Sequence, residues 1–390
     1  MNGWRNWAGN VVCPNAEIVR PHDEAELVAD LRRARLEGRV VRPAGQGHSF
    51  SPLIRTDDLV VDLAAFSGVI DIDSSTSTAW VGAGSPIHVL GAPLWHRGLS
   101  LANQGDIDTQ SIGGAVATGT HGTGPALGCL STVVDAVRLV LADGTVTECS
   151  RDSEPELFEV ARLSLGAVGL AVAVRLRLVP AYHLHERTWT LPVAECLGEL
   201  DQLVSATRHF EFFWSPTSDR CLAKALQPHP GPVPAEPLGR FERIDRAYRV
   251  FPSVRSNRFV EMEYAVPAED GPSCFAELRR LMQTRHRDVT WPVEYRTLAA
   301  DDTLVGPAAG RPTVTLSVHQ SVAIDHRRFF ADAETVFRAH GGRPHWGKLH
   351  SAGAAELARL VPGWERFWSI VDRYDPTGRF RNDVLAGLRP

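Results

Sequence analysis

Apolar and polar positions in the first 180 residues alternate between helical and extended spacing. After Asp23, the side chains of Leu27, Val28 and Leu31 fall on one side of a helical pattern that Gly38 ends, and Val40-Val41 opens a strand. Short β-rich runs follow at Leu59 to Leu63, Val69 to Ile72 and Ala79 to Val81, and Pro86 to Arg97 reads as a second helix closed by Gly98. Val133 to Leu141 and Thr145 to Glu148 flank Ala142-Asp143-Gly144, a hairpin signature because Asp-Gly supplies the backbone conformation of a tight turn. The most apolar stretch, Leu163 to Val174, is interrupted by Gly166 and Gly169 and runs into Arg175 and Arg177. It predicts a turn and a buried strand, and is too short for a membrane span. This half of the chain reads as α+β.

From Pro180 the texture changes to longer β-rich segments, among them Trp291 to Leu298 and Thr313 to Gln320. A helical pattern near Arg327 to His340 ends at Gly341-Gly342, with Pro344 blocking its continuation. The Pro-rich stretch Gln227 to Pro237 is expected to cross the surface as a loop, because proline cannot donate to a regular ladder. A chain of 390 residues exceeds what one core usually organises, so two domains are expected.

Composition narrows the function classes. The formal charge of −5 and the lack of any Lys/Arg block argue against a nucleic-acid or anionic-membrane partner. Met1 to Asn10 holds Arg5 but no apolar signal core, which places the chain in the cytoplasm. Cys13, Cys129, Cys149, Cys196, Cys221 and Cys274 lie far apart with no C-x-x-C pair, and are read as reduced core residues. His183 and His185 share a strand face, but no third ligand is nearby, so a surface strand is favoured over a metal site and no metal is expected.

Two glycine-rich elements stand out. Arg42-Pro43-Ala44-Gly45-Gln46-Gly47-His48-Ser49-Phe50 follows a strand, and its glycines would let backbone amides approach a phosphate, although on spacing alone such a stretch is more often merely a turn. The second runs from Gly105 to Gly124 through Asp106, Ile107, Asp108, Ser111, Gly113, Gly114, Ala117, Thr118, Gly119, His121 and Gly122. Apolar residues interleaved through it exclude a flexible linker and suit backbone packed against an extended ligand. Neither element matches G-x-G-x-x-G or a P-loop, Gly82-Ala83-Gly84 supplies only the first two glycines, and no G-x-S-x-G elbow occurs.

In this order, the two elements resemble the FAD-binding (PCMH-type) domain of the vanillyl-alcohol-oxidase superfamily, and within it the sugar-1,4-lactone and alditol oxidases. The resemblance extends over Asn6-Trp7-Ala8-Gly9-Asn10, Glu294-Tyr295-Arg296, His345-Trp346-Gly347-Lys348 and Asp375-Pro376-Thr377-Gly378-Arg379-Phe380-Arg381-Asn382. It implies a two-subdomain FAD domain over residues 1–180, an α/β cap over 181–343, and a segment 344–390 returning to the FAD domain. It also implies oxidation of an alcohol on an aldono-1,4-lactone or alditol by hydride transfer to flavin N5, with oxygen reduced to hydrogen peroxide. A dehydrogenase of the same fold using a quinone or cytochrome, and a flavin-fold protein adapted to binding or to a biosynthetic reaction, are the rival readings.

The resemblance assigns roles residue by residue. His48 matches the histidine commonly bonded to the flavin 8α-methyl, and the second element holds no cysteine for another bond. Pro43 to Ser49, Gly105, Asp106, Ser111, Gly113, Gly114, Ala117, Thr118, Gly119, His121, Gly122, Gly169 and Lys348 are the expected cofactor contacts; Lys348 is also an expected catalytic and substrate-binding group, and Asp106 and Ser317 are expected to bind substrate. Gly105 matches the position beside flavin C4a, where oxygen must arrive. Glu294 and Arg296, two apart on a strand, share a face. By spacing alone they read as a structural salt bridge, and by resemblance as catalytic and substrate-binding groups. His319 is the candidate base, although alditol oxidases carry histidine where this chain has Ser317, and a buried structural histidine stays nearly as good a reading. Asp106, where alditol oxidases carry serine, moves the substrate expectation towards a sugar lactone.

Overall fold

The computed structural model describes residues 3–236, 238–253 and 255–390. The Asp23 carboxylate accepts the Glu26 N–H and caps the helix Glu24–Leu36, which Gly38 leaves at φ +73°. This helix links strand Glu17–Val19 to strand Val41–Ala44, and both pair in parallel with Leu59–Asp62. A crossover helix is what a parallel connection requires.

A five-stranded antiparallel sheet follows, in the order Val146–Ser150, Val134–Val140, Leu170–Arg177, Thr78–Gly82, Val69–Asp73. The Asp143-Gly144 turn joins its first two strands, with Gly144 at φ +85° and Leu141 N–H donating to the Thr145 carbonyl at 2.9 Å. The helix Ile87–His96 buries Leu90 and Leu94 in the same core as Val81, Val137 and Val174. Leu165 and Gly166, at φ +54° and +66°, make the turn ahead of the buried strand Leu170–Arg177.

From His183 onward the chain builds an eight-stranded sheet in which every pairing is antiparallel. Its order is Glu242–Arg246, His183–Pro192, Arg220–His229, His209–Ser215, Val293–Leu298, Thr313–Ser321, Phe259–Pro267, Arg343–Pro344. One face packs Phe210, Phe212, Trp214, Met262, Tyr264, Tyr295 and Leu316 against the helices Gly271–Arg285 and Arg327–Ala339. Because side chains alternate along a strand, Glu211, Glu261, Glu263, Glu294, Arg296, Ser317 and His319 occupy the other face. That face looks towards the glycine elements.

One loop expectation is corrected. Gln227, Pro228 and His229 continue the strand Arg220–His229 and pair with His183 to His185. Pro228 is tolerated because the ladder with strand His209–Ser215 stops at Leu226, so its missing N–H faces no partner strand. The turn residues begin after His229, and Pro237 lies outside the described residues. His183 packs on Trp95, and His185 Nε2 lies 3.2 Å from Glu242.

After Pro344 the chain re-enters the core of the five-stranded sheet: Trp346, Leu357, Trp364, Phe367 and Leu385 share a cluster with Val81 and Leu90. Trp346 stacks on Trp364 at 5.3 Å between ring centroids and donates its indole N–H to the Val305 carbonyl at 2.6 Å. Burying a ring of this size stabilises by about 1.5–3 kcal/mol, provided its polar atom is bonded as it is here. All six cysteines are buried thiols.

Candidate functional site

Three of the segments that carry the resemblance, those at Asn6–Asn10, His345–Lys348 and Asp375–Asn382, converge on the loop carrying His48 and its flanks, while Glu294 and Arg296 lie in a neighbouring cavity. Asn6 and Asn10 donate to the carbonyls of Ser49 and Phe50, each at 2.9 Å, and the Gly47 carbonyl accepts the Trp7 N–H at 2.8 Å. From the other end of the chain, the Gly347 carbonyl accepts the Phe50 N–H at 2.7 Å and the Trp346 carbonyl accepts the Ser51 hydroxyl at 2.6 Å. Buried Arg42 reaches the carbonyls of Gly166 and Leu165 at 2.7 and 2.8 Å and also bonds that of Phe380, while burial pushes its guanidinium down to about 9. Asn382 caps the last helix and donates to the Leu53 and Arg55 carbonyls.

These bonds hold the loop open on a cleft of roughly 1150 Å³ of empty space, counted with its mouth. Pro43 to Ser49, Ser111, Gly113, Gly114, Ala117, Thr118, Gly169 and Lys348 line it. The two glycine elements touch: a Cβ on Gly45 would lie 2.0 Å from Ser111 Oγ, so only glycine fits. Gly47 takes φ +70°. Among the described residues, the N–H groups of Gln46, Gly47, His48 and Ser49 donate to no protein acceptor. A row of unpaired backbone donors in a half-closed cleft needs an anionic or polar guest, and the apolar walls at Leu53, Ile54, Leu63 and Ala171 suit a flat ring system. The residues present therefore fit FAD. His48 is partly buried, its Nε2 is 2.9 Å from Thr109 Oγ1, and Trp7 stacks on its ring at 5.8 Å. Burial and then Lys348 hold its pKa below the ordinary imidazole value, keeping the ring neutral and nucleophilic.

Gly119 and Gly122 do not line this cleft. A Cβ at Gly119 would meet Pro307 and Leu163, and one at Gly122 the Gln104 carbonyl at 2.4 Å, so these glycines permit close packing within the protein. Gly105, Asp106 and His121 belong to an adjoining second cavity of about 760 Å³, which shares Gln110, Thr120, His345 and Lys348 with the cleft.

The second cavity is roofed by the polar face of the cap sheet. Glu263 accepts from Arg296 Nη2 at 2.6 Å, from His121 Nε2 at 2.6 Å and from Ser317 Oγ at 2.7 Å, and these partners hold its carboxyl well below the usual range against the opposing effect of burial. Glu294 is different. Burial pushes it up to about 8, with Glu211, Asp106 and Glu261 adding to the rise. Arg296 lies 3.3 Å away and opposes this, but its Nη2 already serves Glu263. Arg296 itself is held above its ordinary value by Glu294 and Glu263, against its burial. Lys348 pairs with Glu261 and sits 5.2 Å over the Phe50 ring. His345 accepts the Gly347 N–H on Nδ1 at 3.0 Å, and burial pushes it down to about 3.

Ser317 does not line the cavity: it is fully buried and its hydroxyl is engaged by Glu263. Asp106 is already saturated, by Lys224 at 3.1 Å, Arg255 at 2.8 Å and Ser253 Oγ at 3.1 Å, and these cations keep it ionised in spite of its burial. Sequence reasoning brought together Glu294, Arg296, His319 and Lys348, and the fold does place them in one cavity. It missed Thr109, Gln110, Glu211, Lys224, Arg255, Glu261 and Glu263. The signal for the last two was present in Phe259-Val260-Glu261-Met262-Glu263-Tyr264, where two acidic residues alternate with apolar ones.

Comparison with known proteins places this geometry. A family model described as D-arabinono-1,4-lactone oxidase matches residues 174–242 and 233–388, and one described as FAD binding domain matches residues 15–150. L-gulono-1,4-lactone dehydrogenase of Mycobacterium tuberculosis is 36% identical, over 97% of each chain. Alditol oxidase of a Streptomyces species is 30% identical over 98% of each, and bovine (Bos taurus) L-gulonolactone oxidase 28% over 98% of this chain and 97% of its own. The solved structure of cholesterol oxidase from B. sterolicum superposes with a TM-score of 0.87 over 100% of this chain and 97% of that one, at 17% identity, which shows the shared fold. The chain belongs to the D-arabinono-1,4-lactone oxidase family, and is an FAD-dependent oxidoreductase of the vanillyl-alcohol-oxidase fold.

Proposed function

We propose that this enzyme oxidises a primary or secondary alcohol of a small sugar-derived substrate, an aldono-1,4-lactone or an alditol, and passes the electrons to oxygen. The observation that carries the reading is the second cavity: a dense set of hydrogen-bonding groups on the cap sheet that opens onto the FAD cleft past Lys348 and His345. A polyhydroxylated substrate matches such a wall, whereas an apolar one would leave its buried polar groups unpaired. The chain divides in this reading into an FAD domain, residues 1–180, a cap, 181–343, and a returning segment, 344–390.

FAD, when bound, supplies the two-electron acceptor for a substrate C–H bond. The chain supplies the rest. Backbone amides of Gln46 to Ser49 would hold phosphate, and His48, neutral and facing the cleft, would be the residue that carries the flavin ring covalently. Protonated Glu294 donates to one substrate hydroxyl while Arg296 donates to another, so the pair fixes which carbon faces the ring. Lys348, at the junction of the two cavities, carries positive charge to the pyrimidine edge or to the reacting oxygen. His319 takes the hydroxyl proton.

The M. tuberculosis relative is named a dehydrogenase, so a second reading uses another electron acceptor. A screen of aldonolactones and alditols, with peroxide detection and again with an artificial acceptor, separates the two. Peroxide formation supports the oxidase, activity with the artificial acceptor alone supports the dehydrogenase, and no turnover with any of these substrates overturns the substrate class. Intact-mass measurement tests the linkage: wild-type protein should carry a flavin adduct through acid denaturation and His48→Ala should not.

A further inference from the structure

Beside the candidate proton acceptor stands a residue that the sequence alone does not single out. Glu261 and His319 are direct partners across two antiparallel strands, so their side chains stand on one face. Both line the second cavity. His319 Nδ1 lies 3.0 Å from the Pro292 carbonyl, which can only accept, so the ring carries its hydrogen on Nδ1 and presents a bare lone pair at Nε2. That lone pair faces Glu261 Oε1 across 3.7 Å, too far for a hydrogen bond and with no hydrogen to share. The other Glu261 oxygen pairs with Lys348, which holds the carboxylate, and the Glu261 backbone carbonyl accepts the Leu349 N–H at 2.9 Å, which holds its strand.

The geometry points to His319 and Glu261 as a proton-receiving pair, in which His319 Nε2 takes the proton of the substrate hydroxyl and Glu261 is the positioning residue that stabilises the imidazolium so formed. The inference rests on the proposed alcohol oxidation. In that step the O–H and C–H bonds break and the C=O bond forms. The proton goes to His319 Nε2, the C–H electron pair leaves with its hydrogen to FAD, and the O–H pair becomes the new π bond. Two acceptors that face each other while empty become an imidazolium and a carboxylate once one proton arrives, so the cavity gains a charge attraction only after the hydroxyl has ionised. Burial keeps His319 neutral beforehand, with Glu261 opposing, and Lys348 keeps Glu261 ionised against its burial. The other charged groups lining the cavity are Asp106, Arg255, Glu263 and Arg296, and its other titratable groups are the protonated Glu294 and the imidazoles of His121 and His345.

The test is a ¹⁵N-histidine NMR titration of His319 in FAD-loaded wild type, Glu261→Gln and Lys348→Met, with the pH profile of substrate-dependent flavin reduction beside it. Glu261→Gln should lower the His319 pKa by about one unit, Lys348→Met should raise it, and the acid limb of the rate profile should move in the same directions. In Glu261→Gln the maximal rate should fall at least tenfold with KM changed less than threefold. Glu261→Asp, which keeps the charge at a greater distance, should recover part of both effects and serves if the glutamine variant does not fold. An unmoved His319 titration in Glu261→Gln or Glu261→Asp overturns the pairing. If wild type oxidises no sugar-derived alcohol, the functional reading fails while the titration still decides whether the pair exists.

Discussion

Glu294 is the side chain whose charge state is least like its sequence suggests. A Glu two residues before an Arg on a strand reads as an ion pair, yet burial beside Glu211, Asp106 and Glu261 raises its pKa to about 8. Its folded pKa thus lies above the ordinary 4.5, so the folded state binds the proton more tightly. The resulting stability is full below pH 4.5 and is lost as pH rises through about 8. Wild type should therefore lose on the order of 1–3 kcal/mol between pH 6 and 9 that Glu294→Gln keeps, read as a wild-type melting temperature falling more steeply across that window. Parallel melting curves for the two proteins would show that Glu294 is already ionised at neutral pH. What was legible here were the motif residues His48, Glu294, Arg296 and Lys348, because they sit in distinctive blocks. Glu211, Glu261 and Glu263 were not, because acidic residues alternating with apolar ones read equally well as a wetted sheet face. Only the strand register shows that they face the second glycine element.

At the scale of elements, one contact joins the cap to the Gly105 loop. Lys224, from strand Arg220–His229, lies between Asp106 at 3.1 Å and Glu211 at 2.8 Å, and Arg255 closes on Asp106 from the rim. Exposure decides which cation matters: the Lys224 side chain is 12% exposed and that of Arg255 37%. Removing the buried cation strands Glu211 and leaves Asp106 with Arg255 and Ser253 alone, at a cost of about 3–5 kcal/mol, whereas a rim pair contributes about 0–1 kcal/mol. Lys224→Met should thus lower the melting temperature markedly and Arg255→Ala barely, as thermal denaturation of the FAD-loaded proteins can establish. Equal losses would mean that the rim pair carries the contact. The strands and helices themselves were legible from hydrophobic period and turn residues, as at Asp23, Asp143-Gly144 and Gly341. The Pro228 strand was not, because whether a proline breaks a ladder depends on where the neighbouring strand ends, and that is set by the tertiary fold.

For the whole molecule, the proposed oxidase reading makes the arrangement of cleft and second cavity the path by which oxygen would reach the flavin. The two glycine elements and the C-terminal segment line the cleft, the polar face of the eight-stranded sheet roofs the second cavity, and Gly105 lines that second cavity. A Cβ at Gly105 would meet the His121 carbonyl at 3.1 Å and Thr120 Cγ2 at 3.6 Å, a tight fit that small shifts relieve. Gly105→Ala should therefore fold while narrowing the space through which a diatomic molecule passes. The substrate is held by Glu294, Arg296 and Lys348 on the other wall, so its oxidation should change by less than about threefold, a loss below 1 kcal/mol. Reoxidation by oxygen should slow tenfold or more. Stopped-flow measurement of the two half-reactions separates these effects. If flavin reduced by substrate in the wild-type protein persists for minutes in air-saturated buffer, oxygen is not the acceptor, and the same cavity serves a dehydrogenase. If Gly105→Ala slows both half-reactions alike, the added methyl obstructs the substrate rather than the path of oxygen.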